Sequence, residues 1–189
     1  MAQNLAHKRP WLLISLLFGI GYMLPVLQNL PGVYLVAWKM AAVGFLVPYA
    51  LRRHHTGDFM MIAGFLALCA LGDGLIEVSI EAAGAAFGSA HLVAIWMFSR
   101  HRRLKPTFSQ KALAIIVFIA TPLIAYQLAG ALIAVYALLL STMAAMAWSS
   151  NFPGYRVGVG AMLFVISDLL IFAREAGHLG EASVANYAI

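Results

Sequence analysis

Seven apolar stretches, at 11–28, 31–51, 59–79, 81–99, 112–129, 131–148 and 156–173, follow one another along the chain with only short connections between them. At 1.5 Å of rise per residue, each is long enough to cross a hydrocarbon core of about 30 Å. Inside lipid a helix satisfies its own backbone groups, so the runs predict seven transmembrane helices. The chain has 189 residues, of which 63% are hydrophobic and 10% charged, and its mean hydropathy is +0.89. A water-soluble domain needs a larger polar fraction than this. The fold expected is all-α, a polytopic transmembrane helical bundle forming a single domain over residues 1–189. Pro31-Gly32, Gly130 and Asn151-Phe152-Pro153-Gly154 mark three of the turns. Pro25, Pro48 and Pro122 lie within or near the ends of spans, where neighbouring groups satisfy the carbonyls that proline frees.

The loop charges give an orientation. Lys8 and Arg9 precede span one, Arg52 and Arg53 follow span two, Arg100, Arg102, Arg103, Lys105 and Lys111 follow span four, and Arg156 opens span seven. The alternate loops hold no lysine or arginine except Arg174, which lies beside Glu175 and near Glu181. Positive loops stay in the cytoplasm, so the N-terminus is expected inside and span seven is expected to end outside. Trp11, Tyr49, Trp96, Trp148 and Tyr155 then fall near the cytoplasmic interface as an aromatic belt. The same distribution makes the net charge of +5 a topology signal and excludes a nucleic-acid patch. Lys8 and Arg9 before an apolar run resemble the start of a signal peptide, but no small-residue cleavage site follows, and the run is kept as the first span. The one cysteine, Cys69, lies within an apolar run, which rules out a disulfide framework and a cysteine metal cluster.

Polar residues inside the spans are the candidate functional groups. Asp168 interrupts the apolar run Gly160–Phe172 and costs at least ~2.5–3.5 kcal/mol at mid-depth, so it faces protein rather than lipid. Counted at 1.5 Å per residue, Asp73 lies ~22 Å along span three, Asp168 ~20 Å along span seven, and Lys39 ~18 Å from the outer side. His91 lies ~15 Å below the outer end of span four, and Tyr126 and Tyr136 ~21 Å from the inside. A shared depth predicts one polar layer in the outer half of the bundle. Glu77 follows Asp73 by four residues, and Glu81 stands at the outer mouth. Each residue also has a structural reading. The aspartates cap a neighbouring helix or pair with Lys39, His91 packs as a hydrogen-bonded histidine, and Gly84, Ala85, Gly88 and Ala90 let helices approach closely. A zinc site needs three histidines, or two with a carboxylate; of the six histidines only His91 is intramembrane, so no metal and no cofactor is expected. Ser167 next to Asp168 is not a hydrolase triad, since adjacent helical residues point about 100° apart and no elbow motif surrounds them.

The string Gly160-Ala161-Met162-Leu163-Phe164-Val165-Ile166-Ser167-Asp168 resembles the signature of the YhhN family of membrane proteins, which includes the lysoplasmalogenases. Other pieces follow in the family's order: Lys39, Gly72-Asp73 with Leu75, Gly84 with Phe87 and His91, and Tyr136. The resemblance covers roughly residues 35–172 and is most specific in span seven. Two departures stand out: Met40 follows Lys39 where the family commonly has proline, and no tyrosine follows His91 at the usual spacing. The family tends to carry an eighth helix that begins near a tyrosine. Because this sequence stops at Tyr187-Ala188-Ile189, that span is expected to be missing or truncated.

The resemblance implies a multi-pass protein of a bacterial inner membrane that hydrolyses the vinyl ether of a lysoplasmalogen, a single-chain lysophospholipid, to a fatty aldehyde and a glycerophospho-base. Asp73 and Asp168 are the expected catalytic acid and base, with Lys39, Glu77, His91, Tyr136 and Ser167 as substrate-contacting residues. Two other classes fit the same residues. A proton-coupled transporter also carries mid-membrane Asp, Lys, Glu and His, although the chain shows no internal repeat and no paired broken helices. A non-catalytic binder of single-chain lipids needs only the cavity.

Overall fold

The computed structural model describes residues 9–24, 32–53, 57–76 and 78–178. Its helices are α1 (Arg9–Tyr22), α2 (Gly32–Gly44), α3 (Leu46–Arg53), α4 (Gly57–Leu75), α5 (Ile80–Arg100), α6 (Phe108–Ala129), α7 (Ala131–Trp148) and α8 (Val159–Glu175), the last led in by a π-helical turn over Gly154–Gly158. All regular structure among the described residues is helical, apart from one isolated antiparallel bridge between Arg102 and Ser150. Among the described residues six stretches have the length and composition to cross a membrane: Gly32–Arg52, Gly57–Leu75, Ile80–Arg100, Phe108–Ala129, Ala131–Trp148 and Gly154–Glu175. Pro10–Tyr22 is apolar but shorter. The protein is a multi-pass helical membrane protein, and its helices fall on the seven runs read from the sequence.

The chain divides into two compact units, Met1–Ala94 and Ile95–Ile189, with the boundary inside α5. In the first unit α1 packs on α2, and both α2 and α3 pack on α4. One side of α1 (Leu13, Leu16, Leu17 and Ile20) is exposed and wholly apolar, as a face turned to lipid must be. From the opposite side the buried Ser15 hydroxyl donates to the Ala42 carbonyl, and Trp38 Nε1 donates to the Phe18 carbonyl at 2.8 Å. Span two breaks at Phe45, three residues before Pro48, because proline has no N–H to return to the preceding turn. At the basic end of the unit the Arg52 guanidinium lies 5.0 Å above the Trp11 ring, and that ring stacks on Phe45 at 5.9 Å.

In the second unit α6, α7 and α8 pack on one another. Gly130 alone joins α6 to α7, and its φ of 84° lies in the left-handed region that a side chain resists. Its N–H closes α6 on the Tyr126 carbonyl at 2.9 Å. Pro122 leaves the Phe118 carbonyl without its helical donor, and the Ser141 hydroxyl of α7 reaches that oxygen at 3.4 Å while also donating to Leu138 at 3.1 Å. This is the substitution of donors expected at a proline in a spanning helix. Where the π turn enters α8, Gly158 lies so close to Trp148 that an added Cβ would stand 2.5 Å from the indole.

The start of α6 is set by a reciprocal cap. Gln110 N donates to Thr107 Oγ1 at 3.3 Å, and Thr107 N donates to Gln110 Oε1 at 3.0 Å. Because both residues lie at the exposed end of the helix, Thr107→Ala removes the cap without opening a cavity. It is expected to cost about 1 kcal/mol, read as a lower thermal unfolding midpoint in detergent. An unchanged midpoint would show that α6 is held by packing alone.

Candidate functional site

In each unit a carboxylate inside a span is engaged by a polar side chain from another helix. In the first unit Asp73 belongs to the last turn of α4, where the helix dipole disfavours a negative charge. Lys39 of α2 answers it, with Nζ 3.8 Å from Oδ1 and both side chains mostly buried. The residues on either side of Asp73 are glycines, and each is occupied by a neighbour. An added Cβ on Gly72 would stand 2.6 Å from the Phe87 ring of α5, and one on Gly74 would collide with the Met40 sulfur of α2. The Gly-Asp-Gly sequence therefore admits side chains from two other helices against α4, on either side of the carboxylate that Lys39 meets.

In the second unit Tyr136 of α7 donates from its phenol to Asp168 Oδ2 of α8 at 2.7 Å, and Asp168 is 7% exposed. The Tyr136 ring stands edge-on to Phe172, one turn further along α8, with centroids 5.8 Å apart and planes at 89°. Buried Ala125 and Ala137, with Leu128, Ile133 and Leu169, complete the apolar setting of the phenol. These small residues let the helices approach until a single hydroxyl spans the gap.

The other residues singled out from the sequence fare differently. His91 is completely buried in α5. Ser167 is half-buried and makes no side-chain hydrogen bond among the described residues. Glu77 lies outside the described residues, and α4 ends at Leu75, short of the residue 79 expected from hydropathy. Ser79 caps α5 instead, accepting from Ala82 N at 3.2 Å and donating to the exposed Glu81 at 2.7 Å. Tyr126, placed in the polar layer by depth alone, is exposed: helical depth locates a residue along the axis but says nothing about which face it occupies. The segment ending at Tyr187-Ala188-Ile189, where an eighth span is expected to be missing or truncated, also lies outside the described residues.

Three contacts escaped the sequence reading. Phe87 enters the sequence reading only as part of the family resemblance and Phe172 only as the end of an apolar run; neither reading gives the ring contact. Met40 was noted only as the residue standing in place of the family's proline; its thioether occupies the space that Gly74 leaves open. The pattern Gly-Asp-Gly was the available signal, since glycines flanking an acid in a span invite close neighbours.

These features define a class: a polytopic helical membrane protein whose spans carry an ion pair and a phenol-bonded carboxylate. The YhhN family model matches residues 34–189, more than three-quarters of the sequence, and the chain belongs to that family. Neither curated proteins nor solved structures gave a significant match.

The Lys39–Asp73 pair makes a non-additive prediction. Lys39→Met leaves a carboxylate at a helix C-terminus without its counter-charge and is expected to destabilise by about 1–3 kcal/mol. Adding Asp73→Asn should restore part of the loss. Thermal unfolding of the two single variants and the double variant measures the coupling, and strictly additive losses would mean that the pair does not interact.

Proposed function

We propose that this protein is a membrane-embedded hydrolase that cleaves the vinyl ether bond of a lysoplasmalogen, releasing a fatty aldehyde and a glycerophospho-base. Membership in a family that includes lysoplasmalogenases supports the reading. The observation that carries it is the Tyr136–Asp168 hydrogen bond, which keeps a nearly buried carboxylate at a defined position in an apolar span. We further place the protein in a bacterial inner membrane, with the basic loops on the cytoplasmic side as the loop charges require.

The chemistry needs an acid and a base. Protonation of the alkene carbon remote from the ether oxygen gives an oxocarbenium ion. Water adds to the carbon bearing that oxygen and loses a proton, and the hemiacetal collapses to aldehyde and alcohol. One carboxyl group supplies the first proton, while a second carboxylate stabilises the cation or takes the proton from water, the division of labour found in glycosidases. Asp73 and Asp168 fill the two roles. Lys39 holds Asp73 in place through the ion pair. Tyr136 orients Asp168, and His91 and Ser167 contact substrate or water, with Glu77 toward the headgroup. The alkenyl chain lies along apolar helix faces.

Asp73→Asn and Asp168→Asn should each reduce aldehyde release from a lysoplasmalogen by at least about 10²-fold, the scale of a lost general acid or base, with helical content unchanged. The saturated ether analogue should yield no aldehyde with any variant. Near-normal turnover by either asparagine variant removes that residue from the mechanism. Retention of lysoplasmalogen without aldehyde release by the unaltered protein would make it a binder.

A further inference from the structure

Between Ala82 and Ser167 the sequence contains no aspartate or glutamate, yet it carries Arg100, Arg102, Arg103, Lys105, Lys111 and Arg156. All six cations lie in the second unit, at or near the end where α5 hands over to α6 and α7 to α8. Diffuse loop charge of this kind serves topology in many membrane proteins. Here one of the cations also lines a cavity. A hollow of about 260 Å³ is bounded by Phe98 of α5, Arg102, Met146 of α7 and Ser149.

The loop that carries Arg102 is anchored to the segment after α7. Asn151 N donates to the His101 carbonyl at 2.9 Å, Arg103 N donates to the Ser149 carbonyl at 3.3 Å, and the Asn151 side-chain amide donates to the Arg102 carbonyl at 3.3 Å. The Phe152 ring packs against both Phe98 and His101, at 5.9 and 5.0 Å between centroids. Three residues of a basic loop, His101, Arg102 and Arg103, are thus held to a second loop by hydrogen bonds and a ring contact, which gives the Arg102 backbone a fixed origin. Its side chain makes no ion pair among the described residues. Along the same connecting segments and their flanks Leu104 is 94% exposed, Phe108 88% and Tyr155 79%. Apolar and aromatic side chains turned outward next to arginines and lysines are the composition of a surface seated among lipid headgroups.

We propose that this cavity binds the phosphodiester headgroup of an anionic phospholipid, with Arg102 as the phosphate ligand and Leu104, Phe108 and Tyr155 seated in the surrounding interface. The guanidinium forms paired hydrogen bonds to phosphate oxygens. Phe98 and Met146 provide the apolar floor beneath the headgroup. The lipid fastens the basic end of the second unit to the leaflet that the loop charges assign to the cytoplasm. This proposal does not depend on the hydrolytic reading.

The test is native mass spectrometry of the full chain in detergent, titrated with phosphatidylglycerol or phosphatidylcholine. Phosphatidylglycerol should be retained in a defined stoichiometry and phosphatidylcholine much less. A cation acting only through the diffuse field contributes about fivefold in affinity, so Lys105→Gln should lose no more than that. Arg102→Gln should lose more than about tenfold, as a charge-assisted hydrogen bond would. Met146→Trp, which fills the hollow and leaves the arginine in place, should also abolish the stoichiometric adduct. Equal losses for the Arg102 and Lys105 variants, or full retention by the Met146 variant, overturn the site. Stabilisation by inorganic phosphate equal to that by phosphatidylglycerol overturns the lipid as its occupant.

Discussion

With no water in the hydrocarbon layer, a polar group buried in a span must find its partner within the protein. That constraint accounts for most of the specific contacts in the structure. Ser15 and Trp38 donate to main-chain carbonyls of a neighbouring helix, and Ser141 supplies the donor that Pro122 lacks. Lys39 meets Asp73, and Tyr136 meets Asp168. Apolar side chains hold no such information in lipid, because a leucine is as much at home against an acyl chain as against another leucine. Register between helices is therefore set by a small number of polar contacts and by the places where backbones come close.

Close approach comes from small residues. In the second unit Ala125, Ala137, Ala144, Ala147 and Ala161 are all buried, while the leucines and isoleucines of α6 are largely turned outward. In the first unit Gly72 and Gly74 admit a phenyl ring and a thioether against α4. Short separation between helices is what allows a phenol to reach a carboxylate directly. A hydroxyl at the tip of a rigid ring has little freedom once the ring is held edge-on by Phe172, so the position of Asp168 is determined from two sides.

Much of this was legible in the sequence. The rough bounds of the spans followed from seven runs of suitable length, because bilayer thickness and helical rise leave little choice, although the second run is split into two helices at Phe45. The pairs Lys39–Asp73 and Tyr136–Asp168 were foreshadowed by equal depth, since a polar residue at mid-membrane seeks another at its own level. Depth could not distinguish Tyr136 from Tyr126, which share a level but occupy different faces. In a helix apolar on every side, hydropathy carries almost no signal for facing. The end of α4 was also misjudged: Ile76 and Val78 continue the apolar run, but Ser79 captures the Ala82 N–H and begins the next helix. Local capping chemistry outweighed the hydrophobic pattern there.

The magnitude of the Lys39–Asp73 interaction bears on why it exists. Two charges 3.8 Å apart attract by about 4 kcal/mol at an effective dielectric constant near 20. A charged side chain costs roughly 2.5–3.5 kcal/mol at the centre of a span on insertion scales and less in a last turn such as that of Asp73, so desolvation of the two takes back much of that attraction. Partial exposure of both groups lowers the cost, and the helix dipole at the end of α4 raises it for the carboxylate. A methionine and an asparagine together at these positions would therefore cost the fold less than the loss of Lys39 alone. The close neighbours that the two flanking glycines admit, more than the ion pair itself, therefore hold these helices together.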